Sequence, residues 1–291
     1  MSGPRHLPFD GRPHRLRMGL RPLRPVEWLE PDERRTDQLA LKRRLVAEHR
    51  EQVIAVTPDD DGRVRAASEE LLVSVRAELT ARGLHELGID PGADVDHAEV
   101  HPIEAVGLLT QEDWCVHLPD AAGRWRLAAA SVCFPTRWDL TQKIGRTVRE
   151  IHAPVPGYDE QLGDAVDRFF DRLTAESGLG RLNWNLLDDP ALFQPVRDHR
   201  SGAVGFDEVG ERFWLRVERQ TLVRLPASGA TVFSIRVHQD PLDVLCADVE
   251  AVERVRATLR ALPPDAVAEK GLVDSFDAIL AWLDRAGFAG A

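Results

Sequence analysis

The chain has 291 residues, of which 43% are hydrophobic and 29% charged, and its formal net charge is -11. This composition is typical of a globular protein with one large or two modest domains. The acidic balance argues against nucleic acid as the main partner, because phosphate binding needs a basic surface. No apolar run reaches the roughly 18 residues that a membrane span needs, and the basic N-terminus lacks the apolar core of a secretory signal. We therefore expect a cytoplasmic protein that binds neither nucleic acid nor membrane.

The three cysteines, Cys115, Cys133 and Cys246, lie far apart and form no C-x-x-C pair. This spacing argues against a zinc or iron–sulfur site built from this chain alone. Their apolar neighbours predict three buried free thiols. The sequence also lacks the motifs of dinucleotide, nucleoside-triphosphate, zinc-protease and serine-hydrolase sites.

The first third of the chain predicts an extended arm followed by helices. Residues 1–35 are rich in proline and arginine and form the expected arm. An amphipathic helical period covers residues 37–56, and a clearer one covers residues 68–83. In the second helix, Ser68 is predicted to cap the start and Gly83 to mark the end.

The middle of the chain predicts two β-hairpins. Residues 105–119 and 124–135 are apolar runs joined by the turn sequence DAAG, which is typical of a hairpin. Residues 212–226 and 230–242 alternate apolar and polar positions around the sequence ASG. Such alternation indicates a half-buried antiparallel pair.

Helical patterns lie between and after the hairpins. Apolar residues recur with helical period at residues 137–152 and again from Leu162 to Leu173. Residues 181–195 are predicted to be irregular, with one short helix. Two further apolar stripes, from Val249 to Leu262 and from Phe276 to Leu283, predict C-terminal helices.

This order of elements predicts an α+β fold. A hairpin, a helical crossover and a second hairpin can close one antiparallel sheet with helices on one face. The same order occurs in PAS-like domains, which hold ligands between the sheet and the crossover helices. We expect residues 1–100 to form an arm and helices that pack on the core, residues 101–245 to form the PAS-like core, and residues 246–291 to form C-terminal helices of the same compact unit. The fold alone does not fix the function.

The stretch REIHAPVPGY places His152 at the end of a predicted helix. His152 follows Val148 by four residues and Ile144 by eight, so it shares their apolar face. Pro154 disfavours helix at the residue before it and fixes the helix end. The histidine could bond the free carbonyls of the last turn, pack as a core imidazole, or bind heme iron as a neutral axial ligand. The residues alone favour the first two interpretations.

A second polar group lies on the first strand of the later hairpin. Arg216, Glu218, Gln220 and Arg224 share one face of a strand. Such a row is either a solvent-exposed face or the polar wall of a pocket. Arginine and glutamine could there donate hydrogen bonds to bound dioxygen or to an anion.

Five stretches together resemble the heme-dependent oxidative N-demethylase family. The resemblance covers roughly residues 8–285 and is carried by long runs that are unlike common motifs. These runs are MGLRPLRPVEWLEPD, GLLTQEDWCVHL, VCFPTRWDLTQKIGRTVREIHAPVPGY, RLNWNL and LRVERQTLVRLPASGATVFSIR.

The resemblance implies a PAS-like domain that binds heme b. Family members oxidise a methyl group of an amine such as dimethylamine with dioxygen and two reducing equivalents. The resulting carbinolamine collapses to formaldehyde and the shorter amine. The match to the IH-x-PVP run assigns the proximal ligand role to His152. The resemblance also implies that Arg224 has a catalytic role on the distal side of the heme, with Glu218 and Gln220 as its neighbours.

The resemblance further implies that Arg181 and Trp184 in the stretch RLNWN contact the cofactor. The purely structural interpretation of this stretch is a capped turn with a packed indole. Without a cysteine cluster or dinucleotide motif, the chain is expected to receive electrons from a separate reductase. Two alternatives stay open. One is a non-catalytic PAS-like heme or small-molecule sensor, and the other is a heme-free protein in which His152 only caps a helix.

Overall fold

The computed structural model of the chain describes residues 3–10, 16–24, 27–59, 61–83, 100–196 and 204–288. Within these ranges, seven strands form one antiparallel sheet. They are β1 (Arg21–Leu23), β2 (Ile54–Val56), β3 (Asp113–Pro119), β4 (Trp125–Ser131), β5 (Gly178–Leu187), β6 (Trp214–Arg224) and β7 (Thr231–Pro241). Their order in space is β1-β5-β6-β7-β3-β4-β2.

The same ranges contain nine α-helices. They are α1 (Arg35–Val53), α2 (Arg63–Ala81), α3 (Pro102–Leu109), α4 (Val148–His152), α5 (Asp164–Arg172), α6 (Val209–Arg212), α7 (Val249–Arg260), α8 (Pro264–Glu269) and α9 (Phe276–Phe288). The α+β class is confirmed. The PAS-like assignment and the proposed division of the chain stay predictions, and the sheet draws β1 and β2 from the N-terminal third. No helix in the described ranges is long and apolar enough to cross a membrane.

The hairpin predicted at residues 212–242 is confirmed as β6 and β7. The two strands pair along their whole length, with Glu218 opposite Val237. The turn closes because Leu225 N donates to Ala230 O at 2.8 Å. Gly229 adopts a φ of +68° there, a conformation that glycine tolerates without strain.

The pairing register defines two faces of the sheet. Residues directly opposite each other share a face, and neighbours along a strand point to opposite faces. Asn183 pairs with Glu218, and we call their side the front face. Trp184 pairs with Val217, which in turn pairs with His238, and we call their side the back face.

Helices cover both faces, which corrects the expectation of helices on one face. One cluster covers the front face at Leu222. It contains Val148 of α4, Tyr158 after α4, and Phe170 of α5. On the back face, α7 and α9 pack against Leu215 and Val217 of β6, while α2 and α3 pack against Trp114 and Val116 of β3. Residues 27–32 of the N-terminal arm reach the back face, where Arg236 Nε donates to Glu30 O at 3.0 Å.

Two predicted strand and loop assignments are wrong. Residues 105–109 belong to α3 rather than to a strand, because His101 and Pro102 begin a helix there. His101 Nδ1 accepts from Ile103 N at 3.3 Å, and proline suits the first helical position. Residues 181–187, predicted irregular, lie in β5. Arg181 and Asn183 alternate there with Leu182 and Trp184, a strand pattern that the prediction overlooked.

Three smaller predictions also need correction. Ser68 lies inside α2 and bonds Val64 O at 2.8 Å, while Asp59 accepts the amide of Val64 at the helix start. Only α4 at the end of residues 137–152 is α-helical, because Gly145 interrupts the run with a φ of +75°. Cys246 is exposed, whereas Cys115 and Cys133 are buried as expected.

Candidate functional site

Helix α4 is short and is fixed at its start by a capping box. Thr147 Oγ1 accepts from Glu150 N at 3.2 Å, and the Glu150 carboxylate accepts from Thr147 N at 2.7 Å. These reciprocal bonds satisfy two free donors of the first turn. The helix ends at His152 as predicted, followed by a turn in which Val155 N donates to His152 O at 2.9 Å.

The His152 imidazole is held in one orientation. Its Nδ1 lies 2.8 Å from Val148 O, and because a carbonyl only accepts, Nδ1 is the donor. The ring stacks on Tyr158 with centroids 4.7 Å apart and planes 9° from parallel. Burial lowers the pKa of His152, and the nearby Arg181 lowers it further. The ring is therefore neutral at pH 7, with its lone pair on Nε2.

Glu218 is the centre of a polar cluster on the front face. Its side chain is only 6% exposed. One carboxylate oxygen accepts from Thr136 Oγ1, and the other accepts from Gln220 Nε2 at 2.8 Å and Asn183 Nδ2 at 3.2 Å. Strands β5 and β6 and the segment after β4 thus meet at one buried carboxyl group. The predicted neighbours Glu218 and Gln220 are in direct contact.

Arg216 holds the loops around this cluster. It is fully buried and donates to Phe134 O at 2.7 Å and to Leu192 O at 3.0 Å. Desolvation lowers its pKa to about 10, so it stays charged at neutral pH. By binding the backbone beside Thr136, Arg216 positions the donor that reaches Glu218.

Arg181 on β5 supplies a cation between Glu218 and His152. Both Glu218 and Tyr158 raise its pKa, although burial has the larger effect and lowers it. Its Nε is buried and has no hydrogen-bond partner among the described residues. A guanidinium with a free donor suits a carboxylate ligand. The structure thus brings Arg181 to the same face as His152, Glu218 and Gln220.

Arg224 is engaged elsewhere. Its guanidinium donates to Leu173 O at 3.1 Å, to Gly229 O at 2.7 Å and to Phe170 O. It also lies 4.2 Å from the ring centroid of Trp125. These contacts tie the C-terminal end of α5 to the β6–β7 turn. The structure does not bring Arg224 to Glu218, and each of its three guanidinium nitrogens donates to a backbone carbonyl.

Trp184 lies on the back face, away from His152. Its ring packs on Phe9 with centroids 4.8 Å apart, and Lys270 Nζ lies 4.2 Å from its centroid. Lys270 also donates to Trp184 O at 2.9 Å. The indole therefore packs in the C-terminal helical core as expected, but RLNWN lies in β5 and not in a capped turn.

His117 is a front-face residue that the sequence reasoning missed. It is 6% exposed, and its Nδ1 has no hydrogen-bond partner among the described residues. Its ring lies edge-on to Phe170 at 5.6 Å. Burial, with a smaller contribution from the nearby His152, lowers its pKa to about 4. The alternation from Cys115 could have placed it on this face.

The front face offers the groups that a heme needs. His152 Nε2 carries the lone pair of a neutral imidazole and can bind a metal. Val148, Phe170 and Leu222 form an apolar surface beside it. Arg181 has a free donor that could meet a propionate. A small surface pocket lies elsewhere, against Leu29 and residues 109–112 before β3, and none of the predicted site residues lines it.

One comparison with known proteins bears on this site. A family model described as "Haem-dependent oxidative N-demethylase, alpha subunit-like" matches residues 19–280. The matched span includes α4, both hairpins and the front-face residues His152, Arg181 and Glu218.

Proposed function

We propose that this chain, which belongs to the heme-dependent oxidative N-demethylase family (alpha subunit-like), binds heme b through His152 Nε2 and removes a methyl group from a small secondary or methylated amine. The observation that carries the proposal is the hydrogen bond from His152 Nδ1 to Val148 O. A metal-binding histidine characteristically donates its other ring N–H to such an acceptor, which fixes the tautomer and the ring orientation.

The bound heme would supply the activation of dioxygen, which no side chain of the chain can provide. The net reaction combines one methylated amine, one O₂, two electrons and two protons. It yields the amine shortened by one methyl group, formaldehyde and water. Hydroxylation at the carbon next to nitrogen gives a carbinolamine, and cleavage of its C–N bond releases formaldehyde. The two electrons would come from a separate reductase.

Glu218 is the residue that would hold the amine. Its buried carboxylate accepts three side-chain hydrogen bonds, and an ammonium group of the substrate would add a charge-assisted one. Gln220 and Asn183 keep the carboxylate in one orientation. Proper orientation of the substrate methyl group lowers the barrier by removing unproductive geometries.

Arg181 and the apolar front-face residues would hold the heme itself. The free Nε of Arg181 would pair with a propionate, which would also satisfy a buried donor. Val148, Phe170 and Leu222 would contact the porphyrin. The apolar surroundings would exclude water from the reacting centre, which strengthens electrostatic contacts there.

The test is to load the purified chain with heme b and record the oxidised and reduced spectra with and without dimethylamine. We expect a Soret band that shifts when the amine is added, and formaldehyde release when a surrogate reductase supplies electrons. Absence of the Soret band would refute heme binding. A Soret band that responds to ligands without any formaldehyde would instead support the sensor alternative.

A further inference from the structure

A second cluster of ligand-type side chains lies on the back face, apart from the His152 site. His6 on the arm, Glu30 before α1 and His238 on β7 bring their ligand atoms within 4.8 Å of one another. His6 Nε2 lies 2.8 Å from Glu30 Oε1, and His238 Nε2 lies 3.6 Å from Glu30 Oε2. The two imidazole rings are edge-to-face, with centroids 4.9 Å apart. Three segments far apart in the sequence therefore converge on one point.

His238 carries an unused nitrogen at this point. Its side chain is 6% exposed, and its Nε2 is buried without a hydrogen-bond partner among the described residues. Its other nitrogen, Nδ1, lies 3.7 Å from Asp32 Oδ2. That carboxylate is held by Arg236 at 2.5 Å and by Gln111 at 2.8 Å. At 3.7 Å the Asp32 carboxylate is not hydrogen-bonded to Nδ1, but it lies on the side of the ring where carboxylates orient metal-bound histidines.

Charges around the cluster are balanced. Besides Glu30 and Asp32, Glu112 is the third acid, and its Oε1 accepts from Glu30 N at 2.8 Å. Three arginines oppose them, namely Arg5 at 2.6 Å from Glu30 Oε1, Arg219 at 2.9 Å from Glu30 Oε2, and Arg236 on Asp32. Arg5 is 46% exposed and can move into solvent, whereas Arg219 is 12% exposed and stays on Glu30 Oε2.

We propose that His6, Glu30 and His238 bind one divalent transition-metal ion of the Zn²⁺ type. Two imidazoles and one carboxylate are a common three-ligand set for Zn²⁺, with water completing the coordination. With bonds of about 2.1 Å, the ligand atoms of a tetrahedral ion lie about 3.4 Å apart, so the cluster needs to contract by roughly 1.4 Å from its 4.8 Å span. His6, which is 22% exposed, leaves an open side for water.

Metal binding at this cluster would displace the proton on His6 Nε2. His6 Nε2 now faces both Glu30 oxygens, at 2.8 and 3.1 Å, and must carry a proton to bond them. The ion would take the place of that proton on Nε2, and the proton would move to Nδ1 of a neutral imidazole or leave an imidazolium for solvent. Cysteine spacing does not bear on this site, because its ligands are histidine and glutamate. The ion would link the arm directly to β7.

The test is equilibrium dialysis of the heme-loaded protein against Zn²⁺, followed by metal analysis. We expect one Zn²⁺ per chain, lost in His6→Ala and in His238→Gln. The control is His49→Ala, which removes an exposed histidine of α1 outside the cluster. This variant should still bind Zn²⁺. Should the buried His238 variant fail to fold, His6→Ala on the arm decides the outcome.

Arg5→Ala distinguishes a metal site from a cluster whose hydrogen bonds only stabilise the fold. Removing the competing guanidinium from Glu30 should tighten Zn²⁺ binding, and lowering the pH from 8 to 6 should weaken it. His152→Ala should retain the Zn²⁺, so failure of the heme proposal leaves this result intact. Wild-type protein without Zn²⁺, or both ligand variants with undiminished Zn²⁺, would overturn the inference.

Discussion

The Nδ1 of His152 lies 2.8 Å from the carbonyl oxygen of Val148, one helical turn earlier in α4. The carbonyl accepts, so the proton is on Nδ1 and the lone pair is on Nε2. The bond that serves the helix thus also selects the nitrogen that can bind a metal. The cap and the ligand, which are competing interpretations in the sequence, are compatible in the structure.

We expect His152→Ala to lose the Soret band of the heme-loaded protein. The substitution removes the proposed axial ligand, while the capping box of Thr147 and Glu150 keeps α4 in place. Free imidazole added to the variant should restore part of the band. Heme titration followed by absorption measures both effects. The control is His49→Ala, an exposed histidine, and equal bands in the two variants would remove His152 from the ligand role.

Glu218→Gln should impair amine turnover without loss of heme. The substitution keeps the size of the side chain and removes the negative charge that would hold the substrate ammonium. A hydrogen bond to a charged group contributes about 1.5–3 kcal/mol, which corresponds to about a ten- to hundredfold loss of kcat/KM. Steady-state formaldehyde release and the Soret band are measured together. Glu211→Gln, at an exposed glutamate of α6, should change neither, and an unaltered kcat/KM in Glu218→Gln would exclude the anchoring role.

Secondary structure is predicted correctly from the sequence where an apolar periodic pattern ends at a clear turn signal. The β6–β7 hairpin, the end of α4 at His152 and helices α7 and α9 all follow from such patterns. The assignment of residues 181–187 as irregular missed a pattern that the sequence contains. Strand β5 alternates Arg181 and Asn183 with Leu182 and Trp184, which is the period of a half-buried strand, and it pairs with β6.

In the candidate site, strand periodicity alone does not predict which side chains are in contact. Strand alternation correctly grouped Glu218 with Gln220, because side chains two apart share a face. It also grouped Arg224 with them, although distance along the strand and the carbonyls of Phe170 and Leu173 separate it from the cluster. Contacts between distant segments, such as Thr136 with Glu218, leave no periodic signal in the sequence.

Arg224→Ala is expected to lower stability rather than catalysis. The guanidinium binds three backbone carbonyls and stacks on Trp125, and its loss should reduce the free energy of unfolding by about 2–3 kcal/mol. Denaturant unfolding measures this change. Arg168→Ala, at an exposed position of α5, should have little effect. A large fall in kcat/KM at unchanged stability would return Arg224 to the catalytic group.

His117 should make stability depend on pH between about 6.5 and 4. Burial lowers its pKa from the ordinary 6.5 to about 4, so in this window the unfolded chain binds a proton that the folded chain does not. The free energy of unfolding therefore falls as the pH drops through the window, by about 3 kcal/mol from this group, and is unaffected by it above pH 6.5. Urea unfolding at several pH values should show a shallower dependence in His117→Leu. An identical dependence in His117→Leu and wild type would contradict the prediction, and His49→Leu is the matched control.

Arg181→Gln and Trp184→Phe should separate the two faces of β5. Arg181 has a buried donor free for a propionate, so its loss should speed heme release about tenfold, the effect of one charged hydrogen bond. Trp184 instead packs on Phe9 and Lys270, and its replacement should lower stability by about 1 kcal/mol while heme release stays unchanged. Transfer of heme to an excess of a scavenging apoprotein measures the release rates. Faster release from Trp184→Phe than from Arg181→Gln would place the indole, and not the guanidinium, against the heme.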